Sequence, residues 1–474
     1  MTESASDVIV VGGGLAGFAA AIRCAEQGAR PVILEQGAEE NYLCNSRITM
    51  GVFKVALHDM LGSADSLAAA IDHATRGYVA AELRDKYAAE AGPALRWLMG
   101  LGIRTIKAGV ATRNLATLAP PVPRQPGLHW QGRAGDVMLR TLAARLHALG
   151  GTLIRGARAR ELIMEKGRCA GIVATQDGAA RRFAARAVVL ADGGFQANPD
   201  LVRRFISKHP ERLLERNAKT GCGDGLLMAE AVGAALTETN CFYGHVQVRD
   251  AMDDPELWPY PTIDFPIAAG IAVDAAGRRF TDEGLAGVAV ANAIARLDDP
   301  LGAVAIFDET IWELSGKTYV MSANPFLVET GATFHRGQSL EAVAAQAGLP
   351  AAELAATVAR YNDAVEGGTL DRLDPPRSGD FGHIWGSKAL PIRRPPFYAV
   401  PLCAGITYTM GGLAVDPLAR VQHRNGGAIE GLYAAGGTIG GLEGGPIVGY
   451  SGGLAKALTF GKIAGESIAH ALGR

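Results

Sequence analysis

Residues Val8–Gln36 read VIVVGGGLAGFAAAIRCAEQGARPVILEQ. A short β-branched run from Asp7 to Val11 predicts a buried strand. A glycine turn follows, then a helical stretch to about Gln27, then a second strand, PVILE, ending at Glu35. Gly12, Gly14 and Gly17 stand in GxGxxG spacing. Gly12 permits the tight turn, Gly14 the close approach of a pyrophosphate, and Gly17 the close packing of helix on strand. Backbone N–H groups of the turn and of Leu15 and Ala16, at the helix start, favour phosphate. Glu35, 23 residues after Gly12, can accept hydrogen bonds from a ribose diol. The stretch therefore predicts one βαβ unit of a dinucleotide-binding α/β domain.

Outward from this unit, helical patterning recurs near 66–75, 79–99 and 132–150. Strand patterning recurs at 152–155, 159–164, 169–175 and in RAVVLADGGF, and GDGLLMAEAVGA opens another helix. From about 241 to 395 the chain changes character: it holds three of the five Trp, many Pro, and helices near 285–296 and 350–365. This predicts an inserted second domain, 241–395, within a discontinuous first domain of 1–240 and 396–474. A long helix, Ser451–Leu472, closes the chain.

The 474 residues suffice for two cores. Apolar residues at 48% and charged residues at 20% describe a soluble globular chain. A net charge of -2 without a basic stripe argues against nucleic acid. The 61 glycines exceed the ordinary share of roughly 7% and cluster, which suggests backbone packed against a ligand. Six cysteines form no CxxC pair, as expected of thiols in a reducing compartment. With no signal-peptide pattern and no apolar run near the roughly 20 residues a membrane helix needs, the expectation is a cytoplasmic protein without a membrane span.

The far end of the chain selects the nucleotide. IEGLYAAGGTIGG, Ile429–Gly441, resembles the second FAD-contacting segment of flavoproteins. VVLADGGF, TGCGDGLLMAEAVGA (Thr220–Ala234) and DAAGRRFTDE (Asp274–Glu283) resemble "VLATGGF", "TGDGIxMAxxxGA" and "NxxGxRFxxE" of the fumarate reductase and succinate dehydrogenase flavoprotein superfamily. The resemblance covers most of the chain. It implies a Rossmann-like FAD-binding domain with an inserted α+β capping domain, and hydride transfer between flavin N5 and a substrate carbon. By the same resemblance FAD contacts are expected from Gly12, Gly14, Leu15, Ala16, Gly17, Glu35, Gln36, Met50, Gly51, Ala191, Asp192, Gly193, Asp224, Gly436, Gly437, Gly453 and Leu454. Asn45, Ser46 and Thr49 are candidates for the pyrophosphate or the ring. Relatives that link FAD covalently do so at a His in an early Gly-rich stretch; NYLCNSRITMGVF, Asn41–Phe53, has none, so non-covalent FAD is expected. Thr438 stands where many relatives carry Glu.

AGITYTMGGLAVD, Ala404–Asp416, matches a segment that reads "HYTMGG" in fumarate reductases, where the His binds a substrate carboxylate. Thr407 replaces that His. The family's proton-donating Arg, four residues after the Glu of "GxRFxxE", is here Gly287, and its C-terminal Arg has no counterpart in GGPIVGYSGGLAKA. These three absences argue against fumarate or succinate, which need paired fixed cations. Arg278, Arg279 and Arg296 are read as surface residues.

Two branches of the superfamily fit better. Ketosteroid-type ketone dehydrogenases carry "YPGPGG" where this chain has GYSGG, Gly449–Gly453. Tricarballylate-type dehydrogenases carry "GITFTFGG". Both chemistries remove a proton beside an activating group and a hydride from the next carbon, so a base and an enolate-stabilising donor set are needed. Tyr450 with the N–H groups of Gly452 and Gly453 suits the donor role; Tyr450 also suits plain packing. Candidate bases are Tyr408, Tyr243, His245 and Tyr319, each with a structural alternative. Glu443 reads as a base, a ribityl contact or a turn residue.

The leading expectation is α,β-desaturation of a ketone, or its reversal. The alternatives are a tricarballylate-like carboxylic acid dehydrogenase and a non-catalytic flavin-binding electron-transfer component. The partners expected are a small ketone or carboxylate and an external electron carrier, with a quinone, a redox protein or dioxygen favoured by the lack of a second dinucleotide motif.

Overall fold

Val8–Val11 is buried along its whole length, as a strand covered on both faces must be. In the computed structural model, which describes residues 6–110, 113–318, 321–378 and 388–474, it lies inside a six-stranded sheet. The order is Arg420–Gln422, Ala428–Ala434, Ala187–Leu190, Val8–Val11, Pro31–Glu35, Thr152–Arg155. All pairings are parallel except the edge pair Arg420–Gln422 with Ala428–Ala434. The helix Leu15–Glu26 follows the glycine turn and packs on the closing helix, which runs Gly453–Ala471 and so starts two residues later than the pattern predicts. An antiparallel three-stranded sheet, Ala157–Glu165, Arg168–Gln176 and Ala179–Ala184, flanks this layer.

A second sheet is organised around one long strand, Phe397–Thr409. Leu214–Glu215, Val304–Asp308, Phe242–Val248 and His335–Gly337 all pair with it, and Ile271–Val273 adds to Val304–Asp308. Two large hydrophobic cores result, one under each sheet. The second core is wider than the 241–395 segment. It takes in Phe195, Leu201 and Leu214 before it, and Tyr398 through Ile406 after it. The reason is the pairing of Phe397–Thr409, which carries apolar side chains of the chain's return leg into that sheet. The same strand carries Thr407 and Tyr408 near its C-terminal end, so one element joins the second core to the glycine-rich side. Among the described residues no helix is long and apolar enough to cross a membrane.

Candidate functional site

Gly12 turns with φ +100°, and a Cβ there would sit 2.5 Å from the Ala191 carbonyl oxygen. Only glycine permits both. A Cβ on Gly17 would collide with the Gly12 carbonyl oxygen, so Gly17 serves the packing of helix on turn and does not itself face the cavity. Gly13 N–H donates to Glu35 Oε2 at 2.8 Å and Gly37 N–H to Glu35 Oε1 at 2.7 Å. Burial pushes the Glu35 carboxyl up, against the pull of those N–H groups and of Arg47. Leu15 N–H, the first of the helix, donates to Ser46 Oγ at 3.0 Å.

A cavity of about 650 Å³ opens from this turn. Gly12, Gly14, Leu15, Ala16, Glu35, Gln36, Ser46, Thr49, Met50 and Gly51 line one side. Ala191, Asp192, Gly193, Asp224, Gly436, Gly437, Gly453 and Leu454 line another. Residues from both ends of the chain thus face one space. Asp192 accepts from Gly225 N–H at 2.7 Å, and burial pushes its carboxyl up to about 6. Thr438 Oγ accepts from Gly193 N–H at 3.0 Å, so the residue in place of the family's Glu holds the turn. Asp224 is held by Arg158 in a two-point ion pair, and Gln36 donates to the Thr220 carbonyl. Asn45 bridges backbone, donating to Thr407 O and accepting from Ala218 N–H; it fastens the Thr407 strand to the cradle. Gln196 Oε1 is buried in the same wall with no hydrogen-bond partner among the described residues. A glycine-lined cradle at a helix N-terminus, an acidic side chain at the second strand end and an unsatisfied acceptor in the wall fit FAD.

The other half of the cavity is aromatic. Tyr243 stacks on Tyr450 with ring centroids 4.2 Å apart, and Tyr408 lies 5.3 Å from Tyr243. Burial raises all three phenols well above their ordinary range, so they are neutral hydrogen-bond donors. Tyr408 donates to Glu443. Glu443 is enclosed, paired with Lys456 at 2.7 Å, and accepts from Ser451 and Gly452 N–H. This corrects one expectation: the Gly452 N–H is engaged by Glu443 and is not an open donor. Of the three readings of Glu443, its contacts favour the structural one. The Gly453 N–H donates to the Tyr450 hydroxyl at 3.3 Å; it supports that phenol instead of flanking it.

His245 is also displaced from the expected role. It does not line the cavity. It sits behind Tyr243, whose hydroxyl meets His245 Nε2 at 3.0 Å, and its Nδ1 meets Asp264. Tyr319 lies outside the described residues. Of the arginines read as surface, Arg278 and Arg296 are exposed, but Arg279 is buried and paired with Glu283. That pair ties the GRRFTDE segment together within the second core.

Sequence reasoning missed Arg216, Lys54, Trp258 and Tyr260, which all line the cavity. Arg216 Nη1 donates to Thr407 Oγ1 at 2.7 Å and Nε to the Pro259 carbonyl at 2.9 Å, with the guanidinium over the Tyr260 ring. It makes no ion pair among the described residues. A cation therefore does reach position 407, from a different part of the chain. Burial pushes Lys54 down to about 7. Neither residue lies in a motif; only the charge of ERNAKTG, just before the TGCGDG turn, hints at Arg216.

A family model described as "FAD binding domain" matches residues 7–446. The chain is 31% identical to NADH:acrylate oxidoreductase of Vibrio harveyi over 70% of its length, and spans 32% of that protein. It is 29% identical to 4-oxocyclohexanecarboxylate 2-dehydrogenase of Sinomonas cyclohexanicum, covering 72% of this chain and 62% of that one. The structure of 3-ketosteroid Δ1-dehydrogenase from Sterolibacterium denitrificans superposes with a TM-score of 0.74 at 21% identity, covering 99% of this chain and 100% of that one. At that identity the likeness speaks for the fold.

Proposed function

The chain belongs to the FAD-binding family of the fumarate reductase and succinate dehydrogenase flavoproteins, and from that premise we propose that it interconverts a saturated carbonyl compound and its α,β-unsaturated form. The observation that carries this is the single cavity shared by the glycine cradle and the tyrosine cluster. FAD, when bound without a covalent link, supplies the acceptor or donor of hydride. The chain's own residues do the rest. Tyr450, a neutral phenol that accepts from Gly453 N–H, donates to the carbonyl oxygen and stabilises the enolate as the α-proton leaves. Tyr243, stacked on Tyr450, is assigned to the α-proton. Trp258 and Tyr260 add aromatic surface to the cavity lining.

A second reading concerns the substrate. The ketone expectation needs neutral donors, and the tyrosines provide them. Arg216, buried without a carboxylate partner among the described residues, favours a substrate that also bears a carboxylate. The Sinomonas relative's substrate by name is both a ketone and an acid, so the two demands are compatible. The electron partner is an external carrier.

The test is an anaerobic titration of the FAD-loaded protein with cyclohexanone, 4-oxocyclohexanecarboxylate and propionate, and of the chemically reduced protein with 2-cyclohexenone and acrylate. Bleaching by a saturated ketone, or re-oxidation by the enone, supports ketone chemistry. A response to propionate or acrylate alone moves the assignment to carboxylic acids that bear no ketone. Silence from every compound in both directions favours an electron-transfer component.

A further inference from the structure

By the motif resemblance, Gly287 stands four residues after Glu283, where a proton-donating Arg is expected. The space its side chain would fill is taken: a Cβ there would collide with the carboxyl group of Asp264. Asp264, 5% exposed at the start of the helix Asp264–Ala269, accepts from Val246 N–H through Oδ1 at 2.8 Å and holds His245 Nδ1 through Oδ2. A carboxylate on Nδ1 fixes the proton there, which leaves Nε2 of the neutral ring as an acceptor. The group it faces is the Tyr243 hydroxyl, at 3.0 Å. Tyr243 and His245 are two residues apart on the strand Phe242–Val248, so both side chains project from one face. Tyr243 lines the cavity; His245 and Asp264 do not. The three groups form a file running from the cavity wall into the second core.

We propose that Asp264, His245 and Tyr243 are a proton relay that takes the substrate's α-proton and returns it in the reverse direction, in place of the cationic side chain that Gly287 lacks. This rests on the carbonyl-compound reading above. In desaturation the α C–H bond breaks and its proton passes to the Tyr243 oxygen. The phenolic proton moves to His245 Nε2, and the imidazolium so formed is held by the Asp264 carboxylate. The β-hydrogen leaves as hydride, which oxidises the substrate by two electrons; FAD, when bound, would supply the two-electron acceptor. Reduction runs the same file backwards. Tyr243 is the catalytic residue; His245 and Asp264 act through it as positioning residues.

The charges around His245 suit the first direction. Burial lowers it below the ordinary histidine range, Arg216 and Lys54 lower it further, and Asp264 opposes them. Tyr243 and Tyr260 also border it. The ring is therefore unprotonated at neutral pH and ready to accept.

Two measurements test the relay. The first needs no substrate: side-chain nitrogen NMR of the FAD-loaded, histidine-labelled protein, with His245 assigned by its loss in His245→Gln. A neutral ring protonated at Nδ1 at pH 7, whose Nε2 resonance moves in Tyr243→Phe, is expected. A ring protonated at Nε2, or cationic at pH 7, overturns the relay, because it cannot take the phenolic proton. The second is the single-turnover bleaching rate across pH, with whichever titrated ketone or acid bleaches the wild type. Tyr243→Phe and His245→Gln should slow it about 100-fold or more, the scale of general acid–base catalysis, with FAD content kept. Asp264→Asn should slow it and move its acid limb to lower pH, and Asp264→Glu should restore part of the rate. Rates within threefold of wild type with an unmoved pH profile in His245→Gln overturn the relay even if the carbonyl reading stands. If no compound bleaches the wild type, that reading fails and the NMR result alone decides whether the file exists.

Discussion

Gly287 and Asp264 occupy one space: the absent side chain of the first makes room for the carboxylate of the second. Gly287 lies on the helix Ala286–Ala295, and its φ is not in the left-handed region, so backbone strain does not require glycine there. The requirement is steric. Gly287→Ala should push Asp264 off His245 and destabilise by about 1–3 kcal/mol, as overpacking does. Urea unfolding should register that loss. The NMR signature of a Nδ1-protonated His245 should vanish with it, while FAD remains bound.

Arg216 and Thr407 are 191 residues apart yet joined at 2.7 Å. If the guanidinium receives a carboxylate, Arg216→Met should weaken binding of 4-oxocyclohexanecarboxylate by about 10- to 100-fold. That corresponds to a charge-assisted hydrogen bond of roughly 1.5–3 kcal/mol. Cyclohexanone binding should be unchanged. Equal weakening of both ligands in a flavin-perturbation titration would assign Arg216 to packing.

Asp192 should make the FAD-free chain respond to pH in the direction opposite to an ion-paired carboxylate. Its carboxyl holds a proton up to about 6 when folded, against an ordinary value of 3.8. The folded state thus binds more protons between those values, and this contribution to stability grows as pH falls through 6 and is complete below 3.8. At pH 7.5 the partly buried charge is a burden. Asp192→Asn, which keeps an acceptor for Gly225 N–H, should be more stable than wild type there by roughly 3 kcal/mol. The gap should close as pH approaches 4. Urea midpoints of both proteins at several pH values check the slope.

Glu443 and Lys456 are a fully enclosed ion pair, and Glu443 also fixes Tyr408, Ser451 and Gly452. Removing one partner leaves the other charge buried, which costs about 3–5 kcal/mol. Lys456→Met and Glu443→Gln should each lower the urea midpoint strongly. The double variant should recover part of the loss, and a simple sum of the two single effects would show that the residues act apart.

The nucleotide half was legible because its determinants are contiguous. Val8–Gln36 contains the strand, the turn, the helix start and the acidic strand end in one run, and each works through local backbone freedom or period. The second strand end, at Ala191–Gly193, could be placed from a strand running into glycines. The catalytic half was legible only as a set of candidates. Tyr243, Tyr408 and Tyr450 all line the cavity, but no motif names the partner of each. Gly452 read as an open donor because nothing in GYSGG says that Glu443, nine residues earlier, takes its N–H. His245 read as a cavity residue because its strand face does not reveal what lies beyond Tyr243.

By itself, the sequence determined the βαβ cradle and its dinucleotide-binding pattern; FAD and the three positions without a cation came from the resemblance of its motifs to a family. The cradle and its pattern depend on φ angles, side-chain periods and residue identity, which neighbours along the chain suffice to set. The tertiary structure decided that Arg216 reaches Thr407, that Asp264 fills the space above Gly287, and that Phe397–Thr409 binds the second core to the cradle. Such contacts arise from the register and packing of two sheets whose strands are far apart in the chain. Close packing lets a missing side chain in one element be answered by a charged group from another, and no local pattern records which group that will be.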